Sequence, residues 1–389
     1  MAKKPQGKDT SVLLNAIRAT ASSAYQNEIP IATAENIIDV GAKVLDAPTT
    51  IRNEFMSNLY NKVGLTLIDS PVVENQFSFL KKGTLEHGQM IEDIYVGLAQ
   101  SEPYITGMIN GEYPDPFAIT KAEHYSAFYS TILSRQYRQT RHLTDLKKAF
   151  HSAGGVESFL AGLMNALISA ENYDDMRMTI ATVARQVEEG MKEEAKPKGK
   201  FKGVVHLLTE FNAIDPTGEQ VNVDDWSQNR NFLKFMTNRI KKFSKRMKHL
   251  RSDYNIAGVQ QNMPLASQRL MMLEDLTVDF ETELLAWAYN EGKLEIGGID
   301  GIDSWYSVGA GHAPVTATPE NIQAKGTFGK TGAICLAVLY DQDMVKIYNK
   351  ERIASDQPNN AGNYHNVFMS LEDIYACSPY KNFVAFLLD

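Results

Sequence analysis

Apolar positions recur along this chain in two periods. The longest helical pattern covers residues 156–189. Val156, Phe159, Leu160, Leu163, Met164, Leu167 and Ile168 form one stripe, continued by Tyr173, Met176, Ile180, Val183 and Val187. Steps of three and four predict an amphipathic helix, about 50 Å long at ~1.5 Å per residue if unbroken. A polar step at residues 171–175 interrupts the stripe, so Asn172 or Asp174 could instead open a second helix. Residues 227–251 repeat the period with Phe232, Met236, Ile240, Phe243, Met247 and Leu250. Pro48 suits the first turn of a helix reaching about Lys62, with Ile51, Phe55, Met56, Leu59 and Val63 at helical spacing and Gly64 in the C-cap position. Shorter helices are expected at residues 11–20 and 281–290.

Elsewhere the pattern is that of strands. Residues 63–95 read VGLTLIDSPVVENQFSFLKKGTLEHGQMIEDIY. Residues 63–68 are apolar and β-prone, 72–80 alternate, 81–88 carry charge and two glycines, and 90–95 are β-prone again. The expectation is a long hairpin around a polar tip. A two-stranded hairpin is marginal alone, so Phe77, Phe79, Ile91 and Tyr95 need cover from the same domain or from a neighbouring copy. Residues 124–140 read as one strand, and further strands are expected at 294–296, 333–340, 344–348 and 382–388. Residues 1–47 read as an arm: a polar, basic start, the short helix, then an extended segment at 28–41 that needs a surface to lie on. Residues 101–120, 190–203 and 304–330 hold the Pro- and Gly-rich connections, and no internal repeat is visible. The plan is α+β.

With 389 residues, 43% hydrophobic and 22% charged, the chain is long enough for two or three globular domains. A net charge of −8 argues against an overall cationic coat but leaves room for a local basic face. Two cysteines, Cys335 and Cys377, lack metal-ligand spacing and read as reduced, packed thiols. No apolar run reaches the ~18 residues of a membrane helix, and no signal core succeeds the basic start, so neither membrane nor secretion is expected.

Catalytic patterns fail on context. Residues 324–331, AKGTFGKT, approximate a phosphate loop, but residues 332–340 read as a strand where a helix is needed. Gly309 and Gly311 lack the third glycine of a dinucleotide loop, and no HExxH, GxSxG or SxxK occurs. Glu92 and Asp93 would point to opposite faces of a strand. The expectation is no enzyme: no catalytic, cofactor or metal site. The one charged feature is the helix at 227–251, whose Arg239, Lys241, Lys242, Lys245 and Arg246 stand among nine basic residues with no acid before Asp253. It reads as a solvated face, or as a patch for an acidic partner, either nucleic acid or a carboxylate face of another subunit. Its aromatics lie on the apolar stripe, which argues against base stacking.

A set of short segments, in order, resembles a known family. They are PIATAENIIDVG at 30–41, Asn53–Glu54–Phe55, Val63–Gly64–Leu65, Lys81–Lys82–Gly83 and IEDIY at 91–95. Leu146–Lys147, Ala149–Phe150, Glu157–Ser158–Phe159, MLED at 272–275, residues 285–290 and 337–340, and Phe383 to Phe386 continue the series. Collinear from about residue 11 to 388, they resemble the major capsid (head) protein of small short-tailed phages of the Bacillus phi-29 type. The resemblance implies the tailed-phage major capsid fold (Hong Kong phage, HK97-like), with an N-terminal arm, an extended hairpin loop, a peripheral domain with a long spine helix, and an axial domain. On that basis residues 1–47 are the arm, 48–70 and 120–208 the peripheral domain, 71–119 the hairpin loop and 209–389 the axial domain, its last strand returning towards the peripheral domain. The extra immunoglobulin-like C-terminal domain of the phi-29-type protein has no counterpart in the residues read here, and 304–330 resemble an insertion.

The resemblance further implies self-assembly into hexamers and pentamers of an icosahedral or prolate head around double-stranded DNA without sequence specificity, aided by a scaffolding protein and a portal. The virion is the expected location, with the host cytoplasm during assembly. Ile31, Ile37 and Ile38 of the arm, with Phe77, Phe79, Lys81, Lys82, Glu86, Ile91, Glu92 and Tyr95 of the hairpin, are the expected subunit contacts. The basic helix is expected to serve protein contacts at the capsomer centre and not to grip DNA. The alternatives are a tail or scaffold component, or a nucleotide-binding enzyme.

Overall fold

The computed structural model describes residues 10–33, 35–66, 74–86, 90–99, 117, 119, 121–129, 133–142, 155–197, 199–216, 220–223, 225–274, 276, 298–306, 327–328 and 333–389. The helices used below are α1 (Thr10–Thr20), α2 (Ser23–Glu28), α3 (Ile37–Asp46), α4 (Thr49–Thr66), α5 (Gly155–Glu194), α6 (Leu207–Asn212) and α7 (Arg230–Met247). The strands are β1 (Lys81–Thr84), β2 (Ile91–Val96), β3 (His124–Tyr129), β4 (Leu133–His142), β5 (Val204–His206), β6 (Gln268–Leu273), β7 (Ile299–Ile302), β8 (Thr327–Phe328), β9 (Ala333–Asp341), β10 (Val345–Asn359), β11 (Tyr364–Cys377) and β12 (Phe383–Leu388). The chain divides into two compact units. One comprises Met1–Ser78, Leu133–Met176 and Asn349–Asp373, the other Phe79–Ile132, Arg177–Tyr348 and Ile374–Asp389.

The first unit overturns the picture of a bare arm. Leu14, Ile17, Tyr25, Ile29, Val40, Val44 and Leu45 are buried in one core with Phe55, Met56 and Leu59 of α4 and Val367, Met369 and Leu371 of β11. Polar bonds fix the same segment. Ser22 caps α2 and gives its hydroxyl to Glu54 at 2.7 Å, Asn15 exchanges two hydrogen bonds with the backbone of Ala32, and the Arg18 guanidinium reaches the carbonyls of Ile29 and Gln26. The extended segment expected at 28–41 gives way to α3 from Ile37. Ile37, Val40, Gly41, Val44 and Leu45 face inward, a helical stripe that only becomes visible when the window runs past Gly41. Likewise α4 continues through Gly64 to Thr66. Gly64 is therefore interior and not a cap, a position that costs about 1 kcal/mol against alanine, and residues 63–66 are helical where a strand was expected.

The polar step in the long helix does not break it: α5 is one helix of 40 residues. Its charges are answered from the sheet. Arg135 of β4, buried, bonds Asp175 at 2.6 Å and Asp373 of β11 at 2.5 Å. The Tyr137 hydroxyl donates to Asp174 at 2.9 Å, and Arg352 of β10 reaches Glu171 at 2.7 Å. Burial raises the Tyr137 phenol well above its usual range, the nearby Asp174 adding to it and Arg135 opposing it. A carboxylate buried without a partner would cost several kcal/mol; here strands β4 and β10 place partners against the helix. β4 pairs antiparallel with β11, Leu133 opposite Asp373 and His142 opposite Tyr364, and β10 lies on the other side of β11. The single strand expected over 124–140 is thus two strands, β3 and β4, and β11 went unread although its His365, Val367, Met369 and Leu371 alternate inward.

The second unit is built on a sheet ordered β5-β12-β9-β6-β7, with β8 beside β9. β12 runs parallel to β5 and antiparallel to β9, and every one of its residues is buried, as a continuous apolar run covered on both faces must be. The apolar side of α7, Phe232, Met236, Ile240, Phe243 and Met247, packs into one core with Leu270, Met272, Leu336, Leu339, Val384 and Phe386. Leu250, expected on that stripe, lies past the helix end and is exposed. Gly203 has no room for a side chain: a Cβ there would sit 2.7 Å from the carbonyl of Phe383. The helix expected at 281–290, the strand at 294–296 and residues 307–326 lie outside the described residues. Of the phosphate-loop-like segment, Thr327 and Phe328 are described, and they pair with Ile334 and Ala333 of β9 as a strand. Among the described residues no group of side chains is arranged to hold a metal ion, and no helix is long and apolar enough to cross a membrane.

Candidate subunit-contact surfaces

The strand at 91–96 does not pair with residues 72–80. Its partner is β3, antiparallel, from Ile91 opposite Tyr129 to Val96 opposite His124. Glu74 to Leu80, where the first hairpin strand was expected, are turn and a single 3-10 turn at Ser78–Leu80. The expected tip becomes a strand: Lys81 and Lys82 lie in β1 beside β10. Lys82 forms an ion pair with Asp343 at 2.6 Å and, through that hydrogen bond, holds the Asp343 carboxyl below its usual range. Alternation at 72–80 misled because a turn and a 3-10 coil can also bury every second or third residue, here Asn75, Phe77 and Leu80.

The β2–β3 ribbon has two unlike faces. On the inner one Tyr95 is buried, stacked on Tyr380 with ring centroids 5.9 Å apart and donating its hydroxyl to the Gln260 carbonyl at 3.1 Å. Asp93 accepts from the Ser378 hydroxyl at 2.5 Å and from the Tyr129 hydroxyl at 3.2 Å. Burial, then the Asp93 charge, pushes the Tyr129 phenol above its usual range. On the outer face Ile94, Val96 and Phe128 are 57%, 61% and 58% exposed, and the flanking Met90, Leu98, Phe117 and Ile119 are exposed as well. Such a patch marks an interaction surface; covering it is worth about 1.5–3 kcal/mol per large side chain.

The residues expected at subunit contacts therefore separate. Phe77, Ile37 and Tyr95 are buried within their own chain. Phe79 is half-buried with the Arg269 guanidinium 4.2 Å above its ring. Ile91 is half-buried, while Glu86, Glu92, Ile31 and Ile38 are exposed. On α7, Arg239 is bound to Glu210 and lies against the Phe235 ring; Lys241 is half-buried, and Lys242, Lys245 and Arg246 are exposed. The outer-face residues Ile94, Val96 and Phe128 were missed. The signal for Ile94 and Val96 was present in IEDIYV, whose even positions share one side of a strand.

A model of the family described as Phi29-like phage major capsid protein matches residues 14–387. The chain belongs to that family. Among its relatives, the major capsid protein of Bacillus phage B103 is 25% identical, the alignment covering 96% of this chain and 72% of that protein. The major capsid protein of Streptococcus phage Cp-1 is 26% identical over 73% of this chain and 72% of its own length. Among solved structures, the capsid of Staphylococcus phage Andhra superposes with a TM-score of 0.52 at 12% identity, covering 83% of this chain and 86% of that one. That likeness shows the fold, which is α+β and of the tailed-phage, HK97-like capsid type. As a member of the Phi29-like capsid family, the chain is a phage major capsid protein, a structural subunit that associates with its own kind to form the shell of the virion.

Proposed function

We propose that the outer face of the β2–β3 ribbon is the principal lateral contact between subunits, laid on the next copy in hexamers and pentamers of a closed head. The observation that carries this is the row Ile94, Val96 and Phe128, apolar and uncovered behind an inner face that the same unit packs around the buried Tyr95. Contacts that close by rotation are heterologous: one patch meets a different patch on the neighbour. Ile31 and Ile38, exposed on the otherwise packed segment 10–47, form a second, smaller contact. Lys81 of β1 and the exposed Glu86 set register more than affinity. In this reading assembly proceeds in the host cytoplasm with a scaffolding protein and a portal, and the head encloses double-stranded DNA without reading its sequence.

The test is the triple variant Ile94→Ser, Val96→Ser, Phe128→Ser, expressed with the remaining head proteins. Soluble, folded subunits that form no closed shells by negative-stain microscopy are expected. Normal shells from this variant would sink the proposal.

A further inference from the structure

We propose that the outer face of α7 is a nucleic-acid contact, a sequence-independent grip on the phosphate backbone of double-stranded DNA. Residues 230–251 hold nine of the chain's 39 lysines and arginines and none of its 47 acids, in a protein whose net charge is −8. The structure places these charges on one side. The apolar stripe of α7 is buried, Lys242 and Lys245 are exposed away from it, Arg246 is exposed with its guanidinium 5.6 Å from the Phe243 ring, and the exposed Lys248 follows as the C-cap. Arg239 is committed to Glu210. Lys242 and Arg246 are four apart, Lys245 and Lys248 three apart, so their Cβ atoms are neighbours about 5–6 Å apart and the like charges cost ~0.2–0.5 kcal/mol per pair. The packed apolar side holds the helix in spite of that repulsion.

Two observations favour a phosphate backbone over an acidic protein face, which the sequence alone had suggested. First, from residue 230 to 249 no large apolar side chain is exposed; Leu250 is the nearest. A protein contact needs dehydrated apolar or aromatic anchors, as the β2–β3 ribbon has, and its centre is depleted in lysine. Second, five of the nine cations are lysines. Of these, Lys242, Lys245 and Lys248 are exposed point charges, which suit the release of counterions from a polyphosphate, a bond that carries no sequence information. The inference rests on the shell reading only for the identity of the polyanion, the DNA that the shell encloses.

The experiment uses the purified full-length chain and a labelled linear double-stranded DNA of arbitrary sequence, titrated at several salt concentrations. Wild type is expected to bind at low salt with an affinity that falls steeply as salt rises. Lys242→Gln, Lys245→Gln, Lys248→Gln together should make the plot of log affinity against log salt shallower by about 2.7, at ~0.9 for each phosphate no longer neutralised. The three Lys→Arg changes should preserve the slope. Each single Gln variant should remove about one-third of the effect, which keeps the test valid if the triple variant fails to fold by circular dichroism. Wild type that does not bind DNA overturns the proposal. So does a Gln variant with unchanged affinity and slope. A Gln variant that binds DNA normally but assembles poorly also overturns it, by assigning the face to a protein partner. Shell formation is scored separately by microscopy, so failure of the ribbon contact leaves the DNA result readable.

Discussion

The segment 10–47 and the β2–β3 ribbon look alike as sequence: short apolar runs, polar interruptions, no obvious partner. Their outcomes are opposite. The segment folds into three helices whose apolar residues share a core with α4, leaving Ile31, Ile38 and Val12 as its exposed large apolar side chains. The ribbon buries one face on its own unit and leaves the other apolar and open. The difference lies in period. A helical stripe can be closed by one neighbouring helix, and α4 supplies it. A strand pair has two faces, and a core on one side cannot cover the other.

The largest effects should come from the covered region. Phe55→Ala, in the core shared by 10–47 and α4, should cost about 3–5 kcal/mol, read as a lower denaturant midpoint. Arg135→Ala should cost a similar ~3–5 kcal/mol, because it removes the buried guanidinium that bonds both Asp175 and Asp373. A native midpoint in either variant would contradict the packing described. Next comes a pair of neighbours on α3. Ile37, 3% exposed, should cost about 2–5 kcal/mol on truncation to alanine, whereas Ile38, 60% exposed, should change stability by less than about 0.5 kcal/mol. Equal effects would mean that this helix is turned otherwise. On the ribbon, Val96→Ser should barely move the monomer's stability and should slow shell formation. Lys82→Glu should act in the reverse order, lowering monomer stability before assembly, since it sets a carboxylate against Asp343.

The smallest effect is one of pH. His206 lies between the side chains of Asp389 and Glu194. Burial alone would lower its pKa, but the two carboxylates outweigh it and raise the value above 6.5. A raised folded pKa stabilises fully below the unfolded value and is lost as pH rises through the folded one. Melting measured from about pH 6 upward should therefore fall more for wild type than for His206→Asn; parallel curves would exclude the pair of bridges.

Much was legible in the residues. Helices α4 and α7 and most of α5 follow from helical spacing and strands β9 and β12 from continuous apolar runs, and the ordered segments from residue 30 to 386 carried the family. What misled was local. Residues 171–175 looked like a break because their acids are polar, and nothing nearby in sequence reveals that Arg135, Tyr137 and Arg352 answer them from strands far along the chain. The site was half legible. The stretch IEDIY was singled out, but its partner was chosen by proximity in sequence, at 72–80, when it lies at 124–129.

By itself the sequence determined the class of protein and the positions of its strongest helices and strands, because periodicity is a property of adjacent residues and needs no partner. Only the tertiary structure decided which apolar surfaces are spent inside the chain and which remain to be covered by another molecule. That depends on pairings between residues far apart in sequence, and a strand carries no mark of the strand it will join.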